Sequence, residues 1–218
     1  MPDKCEHRKK DESDEPTITP HRIMNLSDGV FSIVMTLLVL DIKIPSHTQV
    51  SSSVELIDHL YSMLPKFQYY FITFIVLGIF WVGHHYQFQF IKRSDNRLVW
   101  LNLFFMMFIT LIPFTTYLLG EYPNIRIASG IYALNILITG LLVHWNWRYA
   151  TKNCRLTDCH FDNEMISYIT EKNQYTAIIL LAAVILVFFN FQISFALYAI
   201  IPFIHWHYKL PRKNKLQK

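Results

Sequence analysis

The side chains with the greatest chemical capacity in this sequence lie inside or beside long apolar stretches. Arg22, Ser27 and Asp28 open the first such stretch, and His84 and His85 lie within the second. An acid at membrane depth is costly, so by default it marks a functional or partner-bound site. These groups could form a structural hydrogen-bond network, a titrating aspartate–histidine pair or a metal site.

The residue spacing argues against a metal site. Adjacent histidines on a helix point about 100° apart, so His84 and His85 rarely bind one ion. They also lack the i, i+4 pair of helical zinc sites. Cys154, Cys159 and His160 form a C-x4-C-H pattern, but the sequence offers no second ligand pair. A structural network and a pH-sensing pair both remain open.

The composition indicates a membrane protein. Hydrophobic residues make up 52% of the 218 residues and charged residues 17%, which is too apolar for an ordinary soluble domain. Between Lys172 and Lys209 lies an uncharged run of 36 residues. One helix of that length would span roughly 54 Å, whereas the hydrocarbon core is about 30 Å thick. The run must therefore fold back, and the polar break lies at 190–192.

Hydropathy predicts an all-α integral membrane protein with six transmembrane helices. The domain covers 22–209, between a disordered tail at 1–21 and a basic tail at 210–218. Apolar residues at helical spacing from Val54 to Leu64 predict a short interfacial helix, and 148–173 is predicted to be a polar loop. The predicted spans are 23–44, 67–91, 98–120, 125–147, 174–190 and 192–208.

The basic residues predict the orientation. Six spans leave both termini on one side, and that side receives 17 of the 20 lysines and arginines. Both termini are therefore predicted to be cytoplasmic. The net charge of +4 comes without an aromatic-basic patch, so no nucleic-acid partner is expected. Three cysteines in tail and loop positions give no disulfide framework, and 1–20 lack the apolar core of a signal peptide.

Several polar side chains share one predicted depth, near the cytoplasmic side of the membrane. Buried polar groups need partners, so a shared hydrogen-bond network is expected. Depth alone leaves open which histidine meets Asp28. The residues at this level are Asp28, His84, His85, Asn102 and His205.

The first span has two different faces. With Ile33 at zero and about 100° per residue, Asp28 falls at about 140° and Ser32 on the flank. Near zero lies a narrow, mostly aliphatic stripe, which either packs against neighbouring helices or lipid, or lines a pore as rings repeated by symmetry. Periodicity does not choose between these interpretations. The stripe consists of Ile33, Thr36, Leu37 and Leu40.

Four motifs resemble the transmembrane protein 175 family of endosomal and lysosomal potassium channels, which has shorter relatives in bacteria and archaea. They are Arg22-x-x-x-Leu26-Ser27-Asp28 followed by Gly-Val-Phe-Ser-Ile, Thr36-Leu-Leu-Val-Leu-Asp-Ile-Lys-Ile-Pro45, Trp81-Val-Gly-His-His-Tyr-Gln-Phe88, and the stretch from Asn102 to Thr115. The likeness covers about 22 to 120. Leu26 stands where the family has phenylalanine, which removes an aromatic packing contact.

The resemblance implies a homotetramer in the lipid bilayer, with the first helix lining a central potassium-conducting pore and no cofactor. Ile33 would form the narrowest hydrophobic ring, continued outward by Leu37 and Leu40. Thr36 would contribute to selectivity, with Ser32 assisting from the flank. No Thr-Val-Gly-Tyr-Gly filter occurs, so a weaker potassium preference is expected. The residues of the network that holds the pore helix would be Arg22, Ser27, Asp28 and His84 or His85, joined at the same depth by Asn102.

The leading functional hypothesis is therefore a potassium-permeable cation channel that does no enzymatic chemistry. The alternative is a proton-coupled carrier, or a proton-permeable pore, that uses Asp28 and the histidines as a relay. A membrane enzyme with a histidine metal site is a third hypothesis. A single six-span unit resembles the prokaryotic members of the family, which implies the plasma membrane.

Overall fold

The computed structural model of the chain describes residues 18–40, 42–43, 52–158, 163–189, 194 and 197–198. Within these ranges the regular structure is helical, apart from one isolated bridge between Ile91 and Thr157. A 3-10 turn, Lys152–Cys154, follows the fifth helix. The helices are α1 (Pro20–Leu40), α2 (Ser53–Ser62), α3 (Leu64–Phe90), α4 (Asn96–Glu121), α5 (Arg126–Thr151) and α6 (Asn163–Val187).

Five helices, α1 and α3 to α6, are long and apolar enough to cross a membrane. This confirms the prediction of an all-α integral membrane protein. The predicted span at 192–208, which contains His205, lies almost wholly outside the described residues, and so does the predicted tail at 210–218. The helix predicted from Val54 is present as α2.

Four helices begin earlier than the spans predicted from the sequence: α1 and α3 by three residues, α4 by two and α6 by eleven. α1 begins at Pro20, because proline is tolerated in the first helical turn, where its missing N–H has no partner to lose. α6 begins at Asn163, inside the predicted loop at 148–173. Its early turns are helical because Ile169 is buried and Thr170 accepts a hydrogen bond from the Trp147 indole at 2.9 Å.

α5 is the most buried of the five long helices and packs between α4 and α6. Its small residues allow the neighbouring backbones to come close, as is common between membrane helices. Gly140 shows this directly, because a Cβ atom there would lie only 2.6 Å from Cδ1 of Leu180 on α6. α1 packs at the edge of this bundle, against α3 and α4, which leaves its other side uncovered within the subunit.

Candidate functional site: the two faces of α1

One face of α1 is uncovered in the subunit and contains every predicted pore residue. Ile33 is 61% exposed, Leu37 42% and Leu40 68%. Ser32 and Thr36 are also exposed. The opposite face is buried against α3 and α4. Its residues are Ile23, Ser27, Phe31, Val34 and Leu38. An apolar stripe this exposed must be covered from outside the subunit, either by lipid or by a neighbouring subunit.

The two hydroxyl groups on the exposed face both bond back to the helix. Ser32 donates to the Asp28 carbonyl at 2.8 Å, and Thr36 donates to the Ile33 carbonyl at 2.8 Å. Because each O–H is used within α1, the oxygen presents its lone pairs away from its own donor bond. The exposed face therefore offers acceptors, which suit a cation, between its aliphatic side chains.

On the buried face, a chain of hydrogen bonds joins three helices. Ser27 on α1 donates to the Ile23 carbonyl at 3.0 Å and accepts from the Asn102 amide on α4 at 3.1 Å. The amide oxygen of Asn102 lies 2.8 Å from Nε2 of His84 on α3. All three polar side chains are buried. The structure thus brings together Ser27, Asn102 and His84 of the predicted network.

The donors in this chain run in one direction, which determines the histidine tautomer. Since Ser27 donates to a carbonyl and Asn102 donates to Ser27, the Asn102 oxygen must accept from a protonated Nε2 of His84. The His84 ring is stacked between Phe88 and Phe105, with centroids 4.4 Å and 5.3 Å away. A neutral imidazole with its proton on Nε2 is sufficient to make every hydrogen bond in this network.

Asp28 has a different partner from the predicted histidines. Its Oδ1 accepts a hydrogen bond from the Trp81 indole N–H at 2.8 Å, and neither His84 nor His85 bonds to it. The reason is the position of Asp28 around α1. Asp28 lies about 100° from Ser27, so its side chain points away from α4 and toward the turn of α3 that precedes His84 and His85. His85 lies beside the same indole, with ring centroids 5.8 Å apart.

Trp81 is a site residue that the sequence argument did not include. The available signal was its spacing, because it precedes His84 and His85 by three and four residues and so lies one turn away on the same side of α3. Its predicted depth did not indicate a role for Trp81 in the site, because tryptophans near the ends of spans also form interfacial belts.

Arg22 lies apart from the predicted network. It is exposed, and within the described residues its guanidinium makes no hydrogen bond or ion pair. Arg22 precedes Ile33 by eleven residues, which is about three helical turns, so it lies on the exposed face with Ile33. Within the single subunit Arg22 therefore bonds to neither Ser27 nor Asp28, and its place in the network stays a prediction.

The N-terminal end of α1 rests on a joint between two loops, centred on Asp95. Oδ1 of Asp95 caps α4 by accepting from the Leu98 N–H at 2.9 Å. Oδ2 accepts from the Tyr149 hydroxyl at 2.5 Å and lies 3.4 Å from Nε of Arg155. The Arg155 guanidinium also lies over the Tyr149 ring, 4.7 Å from its centroid.

The same joint is tied to the start of α1. The Lys92 N–H donates to the Leu156 carbonyl at 2.8 Å, and the Ser94 hydroxyl donates to the Ile18 carbonyl. Apolar side chains from α1, α3, α4, α5 and the two loops form a buried cluster at this joint. Its members are Ile23, Phe88, Ile91, Leu98, Ala150 and Leu156. The first turn of α1 therefore has a fixed position relative to α3, α4 and α5.

At the C-terminal end of α1 the contact with α4 is weaker. The Lys43 ammonium lies 5.6 Å from the centroid of the Tyr117 ring on α4, within the range of a cation–π contact. Beside it Lys66 and Glu121 form an ion pair at 2.5 Å between α3 and α4. Among the described residues no group of three potential metal ligands occurs; Cys159 and His160 lie outside them.

Residues 22–113 match the family model described as endosomal/lysosomal potassium channel TMEM175. The chain is 33% identical over 176 residues to a potassium channel of Chamaesiphon minutus, with 79% of this chain and 86% of the relative covered. It is 29% identical over 199 residues to an endosomal/lysosomal proton channel TMEM175 of Danio rerio, covering 88% of this chain and 38% of that protein.

The fold is also similar to a solved structure. The crystal structure of a lysosomal potassium-selective channel TMEM175 homolog from Chamaesiphon minutus superposes with a TM-score of 0.76 at 29% identity. The match covers 86% of this chain and 96% of that one. The likeness therefore extends well beyond 22–113.

Proposed function

The chain belongs to the TMEM175 channel family, and from that premise we propose that it conducts potassium ions passively through a pore lined by the exposed faces of α1 helices. The family resemblance inferred from the motifs is thereby confirmed. The observation that carries the proposal is the exposed face itself. It is apolar, its hydroxyl groups donate to backbone carbonyls of α1, and no part of the described subunit covers Ile33, Leu37 or Leu40.

The proposed pore has a hydrophobic constriction. Four copies of α1 around one axis would turn Ile33, Leu37 and Leu40 into aliphatic rings, and such rings can gate by dewetting. Thr36, one turn from Ser32, would place a ring of hydroxyl oxygens between them. These oxygens would replace part of the water around a monovalent cation. Selectivity would then come from side chains and pore width, since the sequence has no carbonyl filter motif.

The proposed assembly is a homotetramer with both termini in the cytoplasm. Four copies are the number implied by the family resemblance, and the exposed α1 face supplies an axis-facing surface in each copy. The orientation rests on the 17 of 20 basic residues that six spans place on one side. For a single six-span unit of prokaryotic type, the plasma membrane is the proposed site.

The test is the reversal potential of purified protein in planar bilayers, with potassium on one side and sodium on the other. The wild-type reversal potential should lie near the potassium value. Ile33→Asn should move it toward zero, because a polar ring hydrates the constriction and admits sodium. Val39→Asn is the matched control, since Val39 is 48% exposed but lies about 120° from Ile33 around α1.

Three outcomes would decide the proposal. A collapse of selectivity in Ile33→Asn alone supports the pore. Equal effects of Ile33→Asn and Val39→Asn would remove α1 as the lining helix. A well-folded oligomer without any potassium current would contradict channel function.

Proton permeation through the same pore is the second candidate function, favoured by the Danio rerio relative, which is named a proton channel. A relay from Asp28 to a histidine would need a path other than a direct bond, because Asp28 accepts from Trp81. A pH gradient without a potassium gradient separates the two functions. A reversal potential that follows the pH gradient indicates proton permeation, and saturating flux with counterflow would instead indicate a carrier.

A further inference from the structure

α2 is a short helix whose apolar and polar residues are separated around its axis from Val54 onward, whereas Ser53 at its first position lies on the apolar side. At about 100° per residue, its apolar residues and Leu64 occupy an arc of about 160°, and its polar residues from Glu55 onward occupy the remainder. No residue of α2 is buried in the subunit. The apolar residues are Val54, Leu56, Ile57, Leu60, Tyr61 and Leu64; the polar ones are Glu55, Asp58, His59 and Ser62.

The helix is well terminated, although it buries none of its apolar side. The Ser52 hydroxyl accepts from the Glu55 N–H at 3.2 Å and caps the first turn. At the other end Met63 is 6% exposed and joins α2 to α3, where Pro65 occupies the first turn. Isolated helices of this length are marginal in water. The apolar side of α2 therefore needs a covering that the described subunit does not supply.

The surroundings of α2 place it at the outer boundary of the bilayer. Exposed or partly exposed tyrosines gather at the outer ends of α3 and α4, where an aromatic belt marks the headgroup level; they are Tyr70, Tyr117 and Tyr122. Leu64 also extends the apolar side of α2 into an exposed stripe along α3. That stripe contains Leu64, Phe71, Ile75 and Val82.

We propose that α2 lies in the plane of the outer membrane interface, with its apolar side in the acyl chains and its polar side in water. Its apolar side continues through Leu64 into the exposed stripe of α3, and the proposal places both in lipid. The helix carries Glu55 and Asp58 but no lysine or arginine. Anionic headgroups would therefore repel it, and its occupant is a zwitterionic lipid surface held by apolar burial.

Spin labels on the assembled full-length protein test this placement. In a background with Cys5, Cys154 and Cys159 changed to serine, Ile57→Cys and Tyr61→Cys place a nitroxide on the apolar side. Asp58→Cys is the matched control one residue from Ile57. The protein is reconstituted in phosphatidylcholine vesicles, and power saturation measures contact with oxygen, which concentrates in lipid, and with a water-soluble nickel complex.

The expected result is high oxygen and low nickel contact at Ile57 and Tyr61, with the reverse at Asp58. Low contact with both reagents at Ile57 and Tyr61 would overturn the proposal, because it means that a neighbouring subunit covers the helix. High nickel contact at all three positions would also overturn it, because α2 would then stand in water. None of these outcomes depends on which ion the protein conducts.

Discussion

The buried and exposed faces of α1 differ in where their partners are found. On the buried face Phe31 and Leu38 pack inside the subunit, and Ser27 bonds to Asn102. On the exposed face Ile33 and Leu40 have no covering within the described subunit. A soluble helix with this division would turn the exposed side to water, but here that side is aliphatic. One face of α1 therefore stabilises the folded subunit, and the other is the face that we propose for assembly and conduction.

The effects of substitutions on α1 should therefore differ between its two faces. A change on the buried face removes contacts that exist in each subunit, so it should lower the stability of the folded chain. A change on the exposed face leaves those contacts intact, so it should alter ion passage first. Residues three or four apart in sequence share a face, whereas direct neighbours do not.

The largest effect is expected for Phe31→Ala. Phe31 is 1% exposed, and its ring lies 5.9 Å from Phe105 and 6.4 Å from His84. Its removal leaves a cavity beside the polar chain and should lower the free energy of unfolding by about 3–5 kcal/mol. Thermal unfolding in detergent measures the change. Ile33→Ala is the control on the exposed face and should shift the transition far less. Equal losses for both variants would contradict the division of α1 into two faces.

A smaller loss is expected for Asn102→Leu, which breaks the chain at its centre. The variant leaves the His84 Nε2–H unpaired in an apolar interior, at about 1–3 kcal/mol, whereas the Ser27 hydroxyl keeps its bond to the Ile23 carbonyl. Unfolding of the purified protein should show reduced stability without a change in selectivity.

The double variant His84→Leu/Asn102→Leu sharpens this test. It removes both partners of the 2.8 Å bond, so it should recover part of the stability lost in Asn102→Leu. Additive losses would mean that the bond itself contributes little and that packing around the His84 ring accounts for the effect.

Much of this arrangement could be predicted from sequence, because helical periodicity and membrane depth are visible in residue order. The stripe around Ile33 follows from a repeat of 3.6 residues, and Ser27, Asn102 and His84 share one depth. Depth gives a level in the membrane but no direction around the helix. For that reason the partner of Asp28 was wrongly expected to be a histidine, when Trp81 one turn earlier faces it.

The joint around Asp95 could not be predicted in the same way. It depends on the meeting of two loops, where Lys92 bonds to Leu156 although 64 residues separate them. No periodic pattern marks such a contact, since Asp95, Tyr149 and Arg155 look like ordinary polar residues near span ends. The early start of α6 was missed for a related reason, because its first turns are polar and are held by contacts with Trp147.

The smallest effect is expected at this joint, and it tests whether the base of the buried face is rigid. Tyr149→Phe removes the hydroxyl that donates to Asp95 but keeps the ring beneath Arg155. Asp95 is partly exposed, so the loss should be about 1 kcal/mol.

Arg155→Gln removes a partly exposed ion pair and should cost about 0–1 kcal/mol. Both groups act on the same Asp95 oxygen, so the two losses should not add in a double-mutant cycle. Strict additivity would contradict a shared role of Asp95, and the start of α1 would then be positioned by the Ile23 cluster and the bonds of Lys92 and Ser94.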